Sequence, residues 1–549
     1  MSKKTKALEL DSKGHRKFGM IDKLAYAAGD FGCNMSFALK NTVNTFWLVY
    51  MYMDTGLLAI LMVITQIWDA VNDPLIGTMI DNDKRKYKLG KFKTYILVGA
   101  CGLLFAGALV FLPLPDAIRM SQETTNVTIK ALVYISAYVI WDACYTIANV
   151  PYGSMLSLVT EDKIQQTELS SWRSIGSALG NVIAMVIPFI IWENVVWTGD
   201  TDYVNKIEIP DGFTKEQYLT NPLTGLPYQE GEKVLNAFNP NQQLQVLHGE
   251  RMFWVALVMG VLGFIAFLFM IKKITLRVDE NTVKTNDESE NLPKSNLLKS
   301  FGVFMKNRPA VGATLAAVGM FLGMNSASTA NTIMFATYFN QASLSTVVMA
   351  VGFIPAFAFI PFIKKIVAKY GKKEASVVGT IVSLAGSLIM LIFPLVPEDL
   401  WIVDGVKGGA LAVYMIGLLL FGVGMGVYMC VNWAMMGDAI DYHEWKFGTR
   451  EEGTVYAIHS FFRKLAQGAG PALVMWIMGN LLGYDEKFGI IGQSPETIKN
   501  ICWLVAILYV VGASLQFVGL ALVYNIDKKT LHQMQSDLAE RHALENHEP

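Results

Sequence analysis

Runs of roughly 20 apolar residues, the length that crosses a ~30 Å hydrocarbon core, recur about twelve times along this chain. A backbone in lipid must satisfy its own hydrogen bonds, and continuous apolar runs without alternation predict helices, not the strands of a barrel. The spans are expected near 24 to 53, 57 to 80, 94 to 114, 130 to 157, 170 to 193, 251 to 271, 310 to 339, 345 to 368, 375 to 396, 409 to 436, 453 to 482 and 500 to 524. Composition agrees: 53% of the 549 residues are hydrophobic and only 17% charged, which excludes a soluble enzyme. A formal net charge of −1 leaves no basic excess for nucleic acid.

Lys and Arg set the orientation. The polar segment 1 to 23, KRKYKLGKFK (84 to 93), the connection 272 to 308, KKIVAKYGKK (364 to 373) and the tail 525 to 549, with the shorter loops on that side, hold about 32 of the 45 basic residues. Both termini are therefore expected in the cytoplasm, and segment 1 to 23 reads as a retained tail, not a cleaved signal. Lys40, Arg173, Arg463 and Lys464 remain at membrane depth.

The charged linker RVDENTVKTNDESENLPKSN (277 to 296) divides the chain, with six expected helices before it (24 to 271) and six after (309 to 524). The halves rhyme, because the second helix of each ends in a basic turn, KYKLGKFK in one and KYGKK in the other. Six plus six helices around a long central loop is the layout of an all-α major-facilitator transporter, with substrate at the bilayer midplane between the halves. A polar segment, 194 to 250, lies outside the expected spans and reads as a shield over the outer entrance. The cysteines show no metal or redox spacing and read as small packing residues, and the glycines of GLLLFGVGMG (417 to 426) read as close helix contacts.

Within QIWDAVNDPLIGTMIDN (66 to 82), Asp69, Asn72 and Asp73 stand at i, i+3 and i+4 on one helix face. A carboxylate at the bilayer centre costs about 2.5–3.5 kcal/mol on insertion scales, so two on one turn call for a cation or a basic neighbour. Carboxylate and amide oxygens are hard ligands suited to a small hard cation. A salt bridge to a basic side chain of a neighbouring helix, holding the halves together, is the competing reading. In WDACYTIANVPYGSM (141 to 155), Asp142, Thr146 and Asn149 share a face; Thr146 offers a further oxygen and Asn149 a contact for a polar substrate. Asp142 fits either the cavity or the outer water boundary. Asn34, Asn41 and Thr45 form a similar stripe in the first helix, with Asn41 and Asp142 as candidates for coupling.

Four motifs in order, YAAGDFG, WDAVNDPLIGTMIDN followed by KLGKFKTY, NVPYGSM and GDAIDYHEWKFGTREEG, resemble the glycoside-pentoside-hexuronide:cation symporters, the melibiose permease group. The resemblance implies a multi-pass protein of the bacterial plasma membrane that carries a sugar or glycoside with sodium, lithium or protons, uses no further cofactor and works as a monomer among lipids. It implies that Asp69, Asn72, Asp73 and Thr146 hold the cation, with sodium favoured by the added oxygens and protons possible, and that Asn34, Asn149, Arg173 and Lys464, with His459 and Ser460, face the sugar.

The sequence departs from the melibiose permease at Asn34 and Asn149, where that protein has acids, at Gly153 and Met429, where it has aromatics, and in about one extra helical turn around 41 to 44. Two acids fewer beside Arg173 and Lys464 shift the local field positive and suit an anionic sugar such as a hexuronide. The alternative is a neutral pentoside or oligosaccharide, with Asp142 balancing Arg173. The loops 81 to 91 and 438 to 450 are expected to form charge contacts that hold the outward-facing state. Two other classes stay open: a major-facilitator carrier of lipids or drug-like molecules, which would want a largely apolar cavity, and an intramembrane aspartyl protease, whose acids must face each other across a scissile bond and not share one turn.

Overall fold

The computed structural model describes residues 16–83, 85–160, 163–199, 214–235, 243–277, 297–403, 406–448, 452–486, 490 and 493–545. The fold is all-α. Among the described residues, nine helices are long and apolar enough to cross a membrane. Met20–Phe37, Leu344–Tyr370 and Glu452–Asn480 are further long helices, the first and last of them carrying polar site candidates.

The chain forms two compact units. The first comprises Met1–Met53, Ile67–Ile191 and Leu247–Asn291, and the second Asp54–Gln66, Trp192–Val246 and Leu292–Pro549. The main division falls in the central loop, but the start of one membrane helix and the segment from Trp192 group with the second unit.

In the first unit, α1 (Met20–Phe37) packs on α7 (Lys163–Ala184) and α9 (Gly249–Lys273), while α4 (Lys91–Leu109) packs on α6 (Thr124–Val159) and α9. One continuous first helix was expected. The backbone does stay right-handed helical, but it tightens at Ala38 and Leu39 between α1 and α2 (Lys40–Thr45) and then widens into a π-helical turn, Phe46–Tyr50. A π turn accommodates an inserted residue by widening the helix. Packing holds this one in place: Trp47 Nε1 donates to the Val110 carbonyl at 3.0 Å, and the Phe46 and Phe111 rings meet edge-on at 5.3 Å. Beyond it Tyr52 takes a left-handed φ of 48°. The buried Lys130 ammonium donates to the carbonyls of Met51, Tyr52 and Arg119 at 3.1–3.2 Å, satisfying backbone that the break takes out of the helix.

In the second unit, α11 (Arg308–Thr337) packs on α15 (Glu452–Asn480) and α16 (Pro495–Phe517), and α14 (Gly408–Phe447) packs on α12 (Leu344–Tyr370) and α13 (Lys372–Met390). The glycines of GLLLFGVGMG are close contacts. A methyl group at Gly424 would overlap the Gly379 carbonyl, and one at Gly417 would meet the Gly386 carbonyl, so the α13 and α14 backbones touch. The repeated basic turns are also geometrically alike: Gly90, at φ 87°, precedes α4, and Gly371, at φ 104°, precedes α13. Only glycine adopts that conformation readily.

The segment after the fifth long helix is folded where it is described. Strands β1 (Trp192–Asn194) and β2 (Gln245–Leu247) pair, and Tyr228, Val234 and Leu244 form a small core beside Val195 and Trp197. Within the second unit, Gln245 Oε1 accepts from the backbone N–H of Ala342 at 2.9 Å. The expected packing role suits Cys33 and Cys502, which are buried, and Cys144, which fills the space beside Gly102; Cys101 and Cys430 are exposed, on helix faces turned away from the protein core.

Candidate functional sites

Helix α3 (Thr55–Asn82) carries Asp69, Asn72 and Asp73 on one face, with Asn72 and Asp73 bonded to α6 and Asp69 beside α2. Asn72 is buried, and its Nδ2 donates to Asp142 Oδ2 at 3.1 Å and to Thr146 Oγ1 at 3.0 Å. The Thr146 hydroxyl in turn donates to Asp73 Oδ1 at 3.1 Å. Asp142 is buried, so of its two sequence readings the structure gives the interior one. Asn72, Asp73, Thr146 and Asp142 thus form one hydrogen-bonded network, and Asp69 stands beside it on the same helix. Asn72 takes part as a donor that fixes the acids, where the sequence reading had it offering oxygen.

A basic side chain also reaches the cluster. Lys40 Nζ on α2 lies 3.5 Å from Asp69 Oδ2, over the rings of Phe37 and Tyr138 at 5.9 and 5.8 Å. At 3.5 Å the gross attraction is about 5 kcal/mol for an effective dielectric near 20, reduced by the partial exposure of both groups. A salt bridge to a neighbouring helix is therefore present at Asp69, as in the competing reading, but Lys40 and Asp69 belong to the same unit, so this pair does not join the halves. Among the described residues, no group of three or more His, Cys, Asp or Glu side chains is arranged to enclose a metal ion. The other coupling candidate, Asn41, lies in α2, and its side chain is outside the described residues.

One turn along α6 lies a second polar group. Arg173 Nε donates to Asp30 Oδ1 at 2.8 Å, and Asn34 Nδ2 donates to Asp30 Oδ2 at 3.0 Å. The guanidinium sits 5.2 Å from the Tyr152 ring, which stacks on Tyr26 at 4.8 Å. Asn149 Oδ1 accepts from Cys33 Sγ at 3.6 Å. Asn34, Asn149 and Arg173 are therefore neighbours, as expected, but Asp30 and not Asp142 balances the arginine. Sequence reasoning assigned Asp30 no role, although an aspartate at membrane depth within YAAGDFG was itself a signal. A Cβ built at Gly153 meets nothing within 4 Å, so the missing aromatic leaves room there.

The remaining candidates belong to the second unit. His459 is fully buried on α15, and its Nδ1 shares a 2.9 Å hydrogen bond with Thr314 Oγ1 of α11. Ser460 and Lys464 are half-buried on the same helix, and the neighbouring Arg463 lies over the Phe321 ring at 5.5 Å, on a different face from Lys464.

Of the two segments expected as charged loops, 83 to 90 joins α3 to α4, whereas 438 to 447 is the last part of α14 and not a loop; the hydrogen bonds of Asp83 and of Asp438 lie within their own units. Asp83 accepts from the hydroxyls of Tyr87 and of Tyr95, the latter at 2.7 Å, and from Arg85 Nε at 3.0 Å. These bonds, that from Tyr87 foremost, hold the Asp83 carboxyl well below the usual carboxylate range. Both oxygens of Asp438 accept from Lys372 Nζ at 2.7 Å.

The family described as MFS/sugar transport protein matches residues 25–528. The chain belongs to that family. Its place among the glycoside-pentoside-hexuronide symporters makes it a sugar transporter of the major facilitator superfamily and sets aside the protease reading. It is 26% identical over 553 residues to the "Uncharacterized symporter YnaJ" of Bacillus subtilis, covering 96% of this chain and 97% of that one. It is 24% identical to the "Glucuronide carrier protein homolog" of Escherichia coli, with 88% of each covered, and 24% identical to the "Isoprimeverose transporter" of Lactiplantibacillus pentosus, with 96% and 92% covered. Among solved structures, a D-xylose-proton symporter superposes with TM-score 0.53 at 14% identity, over 93% of this transporter and 98% of that chain, which supports the fold.

Proposed function

We propose that this transporter is a cation-coupled symporter that brings a sugar or glycoside into the cell by alternating access. The observation that carries the reading is the hydrogen-bonded group of Asn72, Asp73, Asp142 and Thr146, with Asp69 on the same face of α3 paired to Lys40: three carboxylates and two polar side chains at membrane depth, beside a lysine ammonium. Such a group carries surplus negative charge, which an entering cation relieves. Relief of that field pins α3 against α6 in a geometry that favours substrate, and by linkage substrate tightens the cation equally. Carboxylate and hydroxyl oxygens favour sodium, with protons as the alternative. The distribution of Lys and Arg supports a plasma-membrane protein with both termini in the cytoplasm, and we take the monomer as the working unit.

The Arg173–Asp30 pair bears on the substrate. With Asp30 cancelling the guanidinium charge, the Asn34, Asn149 and Arg173 group reads as a hydrogen-bonding surface for hydroxyls, which favours a neutral glycoside. The anionic reading keeps support from the relative named a glucuronide carrier homolog and from Lys464. Proteoliposomes loaded to give a sodium gradient at fixed pH, and separately a pH gradient without sodium, test the coupling: accumulation under the first is expected, and response to pH alone would transfer the role to protons.

A further inference from the structure

Lys40 has no part in the mechanism so far, yet among the described residues it is the cation placed against Asp69. It projects from the six-residue helix α2, between the tightened turn after Phe37 and the π turn at Phe46–Tyr50, and reaches Asp69 across a 3.5 Å gap. A charge-assisted N–H···O bond is normally about 2.7–2.9 Å. The pair is therefore loose, on a flexible four-carbon stem, with the Lys40 side chain 30% exposed. The groups facing the ammonium are Asp69 on α3, Tyr138 on α6 and Phe37 on α1, and through Asn72 and Thr146 the carboxylates of Asp142 and Asp73 share the same field.

We propose that Lys40 is a tethered counter-cation that competes with the coupling ion for Asp69 and so sets this transporter's affinity for that ion. The inference rests on the cation-coupled reading above. An ammonium and an alkali cation carry the same charge and seek the same carboxylate, so each weakens the other. A free ion reaching Asp69 must displace Lys40 or bind against its repulsion. The tether also means that the site is never fully uncompensated. Part of the ordering that the free ion supplies is present without it, and substrate binding retains an ion-independent component. Only Ala38 and Leu39 stand between α1 and α2, both with right-handed helical backbone, so Lys40 follows α1 after one tightened turn.

The test needs no substrate. The full-length protein, Lys40→Gln and Lys40→Arg are purified in detergent, and thermal unfolding is followed against sodium chloride, with choline chloride holding ionic strength. The sodium concentration giving half of the stabilisation should fall about tenfold in Lys40→Gln, a size typical of coupling between sites, and stay near the parental value in Lys40→Arg. A residue that merely supports the helix would lower the melting temperature without moving the sodium midpoint. An unchanged or weaker midpoint in Lys40→Gln overturns the proposal, as does the absence of sodium stabilisation in both parent and Lys40→Gln. If Lys40→Gln does not fold, reductive methylation of the parent, read by mass spectrometry at position 40, replaces it: saturating sodium should expose the amine, and unchanged labelling counts against competition. Failure of the transport reading shows separately, as absent gradient-driven sugar accumulation whatever the sodium titration gives.

Discussion

Arg173 Nε donates to Asp30 Oδ1 at 2.8 Å, so the arginine assigned to the sugar already carries its own counter-charge. Replacing Asp30 by Asn keeps an acceptor and removes the charge. The guanidinium side chain is 41% exposed, so the stability loss should be modest, about 1 kcal/mol. The substrate effect should be larger. We expect the parent to take up a neutral glucoside or a glucuronide methyl ester better than the free glucuronide, and Asp30→Asn to shift that preference toward the glucuronide severalfold. Competition uptake with the three compounds measures this; a parent that prefers the glucuronide would restore the anionic assignment and leave the sugar-transporter assignment standing.

Thr146 joins the acids across two helices by accepting from Asn72 and donating to Asp73. Thr146→Val removes both bonds with little change in shape. Polar bonds inside membrane proteins average about 0.6 kcal/mol, so folding should survive. Accumulation against a gradient should fall at least about tenfold while exchange of substrate at equal concentrations persists. Asp73→Asn should abolish accumulation outright. Comparing gradient-driven uptake with equilibrium exchange separates coupling from binding, and normal accumulation by Asp73→Asn would remove the acid pair from the mechanism.

Much of this was legible in one dimension, because helices in lipid announce themselves by length and because the i, i+3, i+4 spacing fixes which side chains share a face. Asp69, Asn72, Asp73 and Thr146 could be grouped from their spacing and a family pattern. What spacing cannot give is the partner on another helix. Lys40 was visible at membrane depth, but its approach to Asp69 is a contact between two helices, which no periodicity marks. Asp30 was overlooked for a related reason: its meaning lies in Arg173, on α7, and a lone acid in a glycine-rich stretch has no pattern of its own. The fold within the segment 194 to 250 was equally hidden, since its core of Tyr228, Val234 and Leu244 comes from short, separated pieces.

The α13–α14 contact makes a sharper packing test than any polar site. A methyl at Gly424 overlaps both the Gly379 carbonyl and the Ser383 hydroxyl, and backbone cannot yield as a flexible side chain can. Gly424→Ala should therefore cost about 1–3 kcal/mol through overpacking, seen as a lower melting temperature in detergent. Gly437→Ala, on the same helix where nothing lies within 4 Å, should be neutral or slightly stabilising through helix propensity. Equal effects of the two would mean that close approach is not what the glycine serves.

Asp83 gives a pH dependence whose sign follows from its contacts. Hydrogen bonds from Tyr87, Arg85 and Tyr95 lower its folded-state value below the usual 3.8. A group depressed on folding stabilises the native state above its unfolded value, and that contribution is lost as pH falls through the window between the unfolded and folded values. Asp83→Asn should thus lower the melting temperature at pH 7, and the gap between variant and parent should shrink as pH drops below about 4, where the parental carboxyl in the unfolded chain is protonated. Thermal unfolding of both proteins from pH 7 down to the acid limit of detergent stability reads it out. A gap that widens on acidification would mean that the two tyrosines and Arg85 do not favour the ionised carboxylate in the folded loop.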